Sequence, residues 1–271
     1  MLIAQLSDTH IKRPGKLAYN QVDTAAMLRA CVERLAAFRP RPDLVLVTGD
    51  LVDRGDPEEY AHLRALLAPM SLPMLVIAGN HDDREAMRAA FCDADYLPGE
   101  GFLHYAVDRG PLRFIGLDTL IPGEGGGRLC SQRLDWLQTV LSGQRERPTV
   151  VLMHHPPFET GIAHMDEKGL DGREAYAALI ERHPQVVATL CGHLHRVILA
   201  QAGGRPAMTV PSPAHQVELG LEADAPSAFR MEPPAFMLHR WTGTHLLSHQ
   251  VFIGHYAGPY PFFDANKRLI D

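Results

Sequence analysis

An α/β fold with its chemistry gathered at strand ends is predicted by five short apolar runs, by the polar residues that follow each of them, and by helical spacing in between. The runs are Leu2 to Leu6, Leu44 to Val47, Met74 to Ala78, Val150 to Met153 and Val186 to Leu190. They are short and uninterrupted, as strands buried on both faces are. Their followers are SDTH, TGD, GNHDD, HHPP and CGHLH. Functional side chains concentrate on the loops that a rigid scaffold positions, so these followers are the place to look for a site.

The remaining elements follow in order. From Asp23 onward, Met27, Leu28, Cys31, Val32 and Leu35 fall on one helical face. In DPEEYAHLRALL, Asp56 is the expected N-cap, Pro57 the first helical residue and Glu59 the partner that closes a capping box. Phe102 to Val107 and Leu112 to Leu117, joined by DRGP, form an expected antiparallel hairpin. Ser131 is the expected cap of a helix carrying Leu134, Trp136, Leu137 and Leu141, and Arg173 to Glu181 forms another helix. Beyond His195 proline and glycine rise, and Ala235 to Trp241 and His245 to Ile253 flank Gly243 like a hairpin. The expected organisation is therefore an α/β domain over 1–200 and a small β-rich extension over 201–271. That extension finishes the sheet, caps the site or makes a subunit contact; the sequence leaves the three open.

Composition narrows the function classes. The chain has 271 residues, 46% hydrophobic and 21% charged, enough for one large core. Its formal net charge is -6 and no run of Lys and Arg forms a phosphate-tracking stripe, which argues against a nucleic-acid polymer as partner. No segment approaches the roughly 18 apolar residues of a membrane span, and the opening MLIAQLSDTH lacks a basic, then apolar, export pattern, so no membrane and a cytoplasmic location are expected. The four cysteines are widely spaced and read as small core residues, without a thiolate metal site.

Collected, the strand-end residues are Asp8 and His10, Asp50, Asn80 and His81, His154 and His155, and His193 and His195. Each alone fits an ordinary loop: a turn at Gly49-Asp50, a left-handed Asn80 after glycine, a rigid exit before Pro156. Their joint occurrence after five apolar runs does not. If the chain is still extended at His193 and His195, the two rings project to the same side. Oxygen and imidazole donors without thiolate suit Zn, Mn, Fe or Co, and the donors outnumber what one ion needs. Two divalent ions sharing a carboxylate are the expected cofactors. His62, His104, His155, His164 and His183 have no motif role and are expected to be surface or packed residues.

In the order D-x-H, G-D, G-N-H-D, H and G-H-x-H, the sequence from Met1 to about His195 resembles the calcineurin-like metallophosphoesterases. Through SDTH, GNHDD, MHHPP, AHQV near His215 and HYAGPY near His255, it is similar to their bacterial glycerophosphodiesterase and class III cyclic-nucleotide phosphodiesterase branch. The resemblance implies a four-layer α-β-β-α sandwich of two mixed sheets with flanking helices. It implies one metal on Asp8, His10 and His195, a second on Asn80, His154 and His193, and Asp50 as bridge. Asp50 and His81 would be catalytic, with His81, Tyr19 and His215 binding substrate, and the chain would form a homo-oligomer. Two divalent ions, two aspartates and a bridging hydroxide sum to about +1, which suits a singly charged phosphodiester. The implied reaction is attack by that hydroxide on a small phosphodiester, a glycerophosphodiester or a cyclic nucleotide.

Two other functions compete. A phosphomonoesterase or phosphoprotein phosphatase of the same fold is raised by GDLVDRG at Gly49 to Gly55, where Arg54 would clamp a dianionic phosphate. Against it stands GNHDD where those enzymes carry GNHE. A metal-stabilised scaffold without activity is the other, and the intact donor set argues against it.

Overall fold

Continuous apolar runs form the central strands because both faces of each are covered. A computed structural model describes residues 1–270; Asp271, the last residue of the expected extension, lies outside the described residues. In chain order the elements are β1 (Leu2–Leu6), α1 (Thr24–Ala37), β2 (Leu44–Thr48), α2 (Pro57–Leu67), β3 (Met74–Ile77), α3 (Arg84–Ala90), β4 (Tyr105–Arg109), β5 (Leu112–Gly116), β6 (Gly127–Arg128) and α4 (Ser131–Ser142). They continue with β7 (Thr149–Leu152), α5 (Ala163–Asp166), β8 (Leu170–Asp171), α6 (Arg173–Glu181), β9 (Val186–Cys191), β10 (Ile198–Ala202) and β11 (Arg205–Thr209). The last four are β12 (Gln216–Val217), β13 (Phe229–Arg230), β14 (Ala235–Trp241) and β15 (Leu246–Phe252).

Two mixed sheets result. The first runs β15-β14-β1-β2-β3, with β1, β2 and β3 parallel and the C-terminal hairpin added antiparallel through β14 on β1. The second runs β10-β11-β9-β7-β5-β4, parallel through β11, β9, β7 and β5 and closed at each edge by an antiparallel strand. Residues 201–271 thus supply β11 to one sheet and β14 and β15 to the other. No helix among the described residues is long and apolar enough to cross a membrane.

The core is stratified as a four-layer sandwich requires. Leu28, Leu35, Tyr60 and Leu63 of α1 and α2 pack on Ala4, Leu6, Val45 and Val76 of the first sheet. Leu137, Tyr176 and Ile180 of α4 and α6 pack on Ile115, Val151 and Cys191 of the second. Between the sheets lie Ile3, Leu46 and Ile77 from one face and Phe114, Leu152 and Leu190 from the other. Each such fully buried side chain contributes on the order of 1.5–3 kcal/mol of transfer free energy.

Some local details differ from the sequence expectation. Asp23 and Asp56 do cap α1 and α2, accepting from Ala26 N and Glu58 N. Glu59 does not close a capping box on Asp56; its carboxylate accepts from Arg54 N at 2.8 Å, because the chain folds back through Gly55. Ser131 is the first residue of α4 and Cys130 its cap, without a side-chain bond. Among the cysteines, Cys31 and Cys191 are buried, whereas Cys92 is exposed just after α3.

At the loop end the two halves are clamped by one buried pair. Arg84, at the start of α3, donates to both oxygens of Asp118, at 2.6 and 2.8 Å, and to Leu120 O at 2.7 Å. Asp118 follows β5 and also accepts from Leu103 N and Leu120 N. Burial pushes the Asp118 carboxyl up, but Arg84 and these donors hold it below its ordinary value. Replacing Arg84 by Met is expected to cost about 3–5 kcal/mol at pH 7 in urea unfolding, the usual penalty for stranding a buried charge. Without Arg84, burial is opposed only by the Leu103 and Leu120 N–H donors and the Arg133 charge, so the Asp118 pKa rises and protonation relieves the variant first. The deficit relative to the parent should therefore shrink as pH falls toward the carboxylate range, and a deficit independent of pH would contradict this account.

Candidate metal centre

The strand-end loops converge because the parallel strands of both sheets end at the same edge of the sandwich. Backbone bonds lock them together: Asp8 N to Gly49 O at 3.0 Å, His10 N to Asp50 O at 3.0 Å and Gly192 N to His154 O at 3.0 Å. Across the two sheets, His193 N donates to the Asp8 carboxylate at 3.0 Å, and Ser212 Oγ donates to Asp8 O at 2.8 Å.

The backbone is forced where the donors sit. Asp8, His10, Asp50, His193 and His195 all have positive φ, between 42° and 71°. A left-handed non-glycine residue costs on the order of 1–3 kcal/mol and persists where the surroundings over-determine it, typically at functional sites. Asn80, the one residue expected to turn left-handed after glycine, is not among the positive-φ residues.

This conformation also revises the geometry expected for the histidine pair. The chain is no longer extended at His193 and His195, since β9 ends at Cys191, and the two rings do not share neighbours. His193 packs against His154 and His155, with ring centroids at 5.1 and 4.5 Å, whereas His195 packs against His10 and His215 at 4.9 and 4.7 Å.

Side-chain donors meet at short range. Asp50 Oδ2 stands 3.6 Å from His10 Nε2 and 3.3 Å from His154 Nε2. His10 Nε2 and His195 Nε2 are 3.1 Å apart, and Asp8 Oδ1 is 3.5 Å from His195 Nε2. Asn80 Oδ1 is 3.1 Å from His154 Nε2. The outer nitrogens are held by carbonyls: His154 Nδ1 donates to Thr48 O at 2.9 Å and His195 Nδ1 to His215 O at 3.0 Å. Such bonds fix the tautomer that leaves Nε2 free to bind a cation. His193 Nε2 is buried and has no partner.

Electrostatics favour the same state. Burial drives His10 and His193 well below the ordinary imidazole value and His195 down to about 4, so these rings are neutral and able to ligate. Burial raises Asp8 to about 7, an effect the Asp50 charge adds to. Asp50 is held well below the carboxylate range, against the opposing effect of burial, by His154, His81 and His10. His154, despite its burial, is lifted to about 9 by Asp50 and Asp8. Two buried carboxylates facing free imidazole lone pairs fit divalent cations, which would take over the charge balance that protonated His154 supplies here.

His81 is anchored rather than converged on this point. Its N donates to Asp50 Oδ1 and its Nδ1 to Asp53 O, both at 2.8 Å, and its ring meets that of His10 edge-on at 4.7 Å. Burial opposes its protonation, but Asp50 and the Asp53 carbonyl raise its pKa overall. Tyr19 is half exposed, stacks on Phe229 at 4.9 Å and meets His215 edge-on at 5.2 Å; all three line the cavity over the centre.

A match to the family model described as calcineurin-like phosphoesterase covers residues 1–197. The chain belongs to the calcineurin-like phosphoesterase family. It is 41% identical to a probable glycerophosphodiester phosphodiesterase of Arcobacter nitrofigilis over 100% of both chains. To a 3',5'-cyclic adenosine monophosphate phosphodiesterase of Pseudomonas aeruginosa it is 34% identical, over 90% of this chain and 86% of that protein. In fold it is similar to a dimetal phosphatase from Danio rerio, with a TM-score of 0.67 at 16% identity over 93% of this chain and 98% of that one.

For this phosphoesterase some relevant residues escaped the sequence reading. His155 is fully buried, its Nδ1 2.8 Å from Thr119 Oγ1 and its Nε2 3.3 Å from Gly125 O. It is a packed histidine, as expected of it, but one that holds a wall of the cavity. Asp82 accepts from Gly79 N, Leu51 N and Tyr60 Oη and so ties the second and third strand-end loops, a role that its place in GNHDD alone did not reveal. Arg54 lies outside the cavity over the centre: its side chain is 79% exposed, and the acid beside it, Asp53, is 4.0 Å away.

Room for the His154 ring comes from one glycine. Gly49 has φ +94°, and a Cβ there would lie 2.3 Å from His154 Nδ1. Gly49→Ala is expected to destabilise the protein by at least about 2 kcal/mol and to reduce bound Mn, measured by calorimetry and elemental analysis. Undiminished Mn would show that the His154 position does not depend on that gap.

Proposed function

We propose that this phosphoesterase is a dinuclear metal-dependent phosphodiesterase acting on small diesters, glycerophosphodiesters or cyclic nucleotides. The observation that carries the reading is the position of Asp50 Oδ2 between His10 Nε2 and His154 Nε2. In this reading Asp8, His10 and His195 would hold one ion and Asn80, His154 and His193 the other, with Asp50 as shared ligand. Held by these residues, two divalent ions such as Fe, Mn, Zn or Co would polarise phosphoryl oxygens and lower the pKa of water.

The chain's own residues do the rest. Carbonyl bonds to Nδ1 aim His154 and His195, and burial keeps His10 and His193 neutral for ligation. With Nδ1 committed to Asp53 O, His81 keeps Nε2 for a phosphoryl or leaving-group oxygen, and its N–H to Asp50 couples both jobs. Tyr19 and His215 line the cavity where the alcohol groups of a substrate would lie. Asp8 and Asp50 face the centre and the nearby Asp53 is paired with Lys12, so the loaded site would be weakly positive and matched to a diester monoanion. Arg54, the cation that a dianion-binding phosphatase would use, does not line this cavity; it borders a neighbouring cleft that Asn80 and His81 share. We also infer a homo-oligomer, on the exposed aromatic residues Tyr256, Tyr260 and Phe262 near the C-terminus, to be checked by light scattering.

Loaded with Mn, the protein should turn over bis(p-nitrophenyl) phosphate with a higher kcat/KM than p-nitrophenyl phosphate, and chelation should abolish both. A dominant monoester rate would overturn the diesterase reading. His81→Ala should retain its metal while its rate falls roughly 10²- to 10⁴-fold. Loss of metal from that variant would instead make His81 a ligand. Asp50→Ala should lose both metal and turnover.

A further inference from the structure

The cavity over the centre, about 760 Å³, has one wall that the proposed chemistry leaves unused, formed by His164, Met165 and Lys168 of α5 and the turn after it. The chain there continues as a helical turn, with Glu167 N bonded to Ala163 O and Lys168 N to Met165 O at 3.0 Å each. Spaced four residues apart, His164 and Lys168 share a face.

Two features of this wall are unexplained by packing. Lys168 is the one lysine or arginine among the residues lining the cavity, and it forms no ion pair among the described residues. Of the acids near it, Asp166 accepts from Thr160 N, Thr160 Oγ1 and Gly161 N, Glu159 and Glu174 pair with Arg173, and Asp171 pairs with Arg128, while Glu124 and Glu167 form no ion pair with it. His164 Nδ1 is shielded from solvent and has no hydrogen-bond partner. A buried polar atom without a partner calls for an explanation, and a polar ligand in the cavity would supply one here. The glycine run beside it makes room, since a Cβ on Gly125 would lie 3.2 Å from Lys168 Cδ.

We propose that His164 and Lys168 form an anion subsite that receives a negatively charged group on the alcohol arm of the diester, so that diesters with an anionic arm are preferred to those with a neutral one. The inference rests on the diesterase reading and sharpens its substrate class. The metal centre suits the single charge of the phosphoryl group, and Lys168, at the α5 wall, is left to meet a second charge carried farther along the substrate. An ammonium and an imidazole N–H donating to one anion make charge-assisted bonds, the strong kind.

The test compares p-nitrophenyl 2-carboxyethyl phosphate with p-nitrophenyl propyl phosphate, which share a leaving group and differ by one carboxylate. With the Mn-loaded parent, kcat/KM should favour the carboxylate by roughly tenfold or more, the worth of one charged hydrogen bond. Lys168→Met should bring that ratio to about one while leaving the propyl substrate within about twofold, and Lys168→Arg should restore it. A parent ratio near one, or a Lys168→Met loss shared equally by both substrates, overturns the subsite. So does a loss confined to p-nitrophenyl phosphate, which would put Lys168 on the phosphoryl group itself. Calorimetric binding of 3-phosphonopropionate against propylphosphonate reads the same preference without turnover. A Lys168-dependent preference in binding, with no diester hydrolysed, would uphold the subsite and overturn the diesterase reading. Absence of preference in binding overturns the subsite whatever the turnover.

Discussion

The bond from His193 N to the Asp8 carboxylate is the contact on which the centre depends. Asp8 lies two residues beyond β1 of one sheet, and His193 two residues beyond β9, the longest parallel strand of the other, 185 residues later. A donor set split between two sheets keeps its geometry only if the sheets are fixed relative to each other at that edge. The carboxylate does this with its own oxygens, so the group proposed to offer a metal its negative charge also sets the spacing of the opposing imidazoles. Gly192 is the companion constraint: a Cβ there would lie 2.1 Å from Ser7 Oγ, so only glycine lets the two chains approach this closely.

Behind that junction the interface between sheets changes character. Toward the far end it is apolar, with Ile3, Leu46, Phe114 and Leu152 in contact. Approaching the centre it becomes a buried polar chain: His239 Nε2 to Gln5 Oε1 at 2.9 Å, Gln5 Nε2 to Thr48 Oγ1 at 2.9 Å, and Ser7 Oγ to Thr48 O at 3.0 Å. Thr48 O then receives His154 Nδ1. Satisfied networks of this kind rigidify a site, whereas an unpaired member would cost on the order of 1–3 kcal/mol. Burial holds His239 at a pKa of about 3, neutral across the working range, so the strand contributed by the C-terminal hairpin supports the centre without adding charge to it.

Much of this was legible in the sequence, for a physical reason. Strands buried on both faces read as unbroken apolar runs, and Leu2 to Leu6 and Val186 to Leu190 stand out for that reason alone. The donors follow at once because parallel strands deliver their ends to one edge. What was not legible depended on contacts between distant segments. Alternation placed His193 and His195 on one side, but the close approach at Gly192 bends the chain into left-handed conformations that send the rings apart. Glu59 looked like a capping-box partner by spacing, yet the fold-back at Gly55 offered it Arg54 N instead. His164 and Lys168 carried no motif signal, because their place in the cavity is set by α5 packing beside a glycine run some forty residues earlier.

That glycine run explains why two adjacent histidines follow β7. His154 faces inward, with Nε2 at the shared Asp50 oxygen. His155 faces the other way: its ring fills the space that a Cβ on Gly127 would need, which would lie 2.4 Å from Nδ1, and its Nε2 reaches Gly125 O. One strand end thus positions a donor of the centre and the wall opposite it in consecutive residues. The wall is bare of side chains from Gly125 to Gly127, and β6 pairs with β8 along it, carrying α5 against the cavity. A larger residue at Gly127 would displace the His155 ring, and through its 4.5 Å contact the ring of His193 as well. The proposed donors and the cavity wall are therefore one packed unit, in which the shape of the cavity and the aim of those side chains change together.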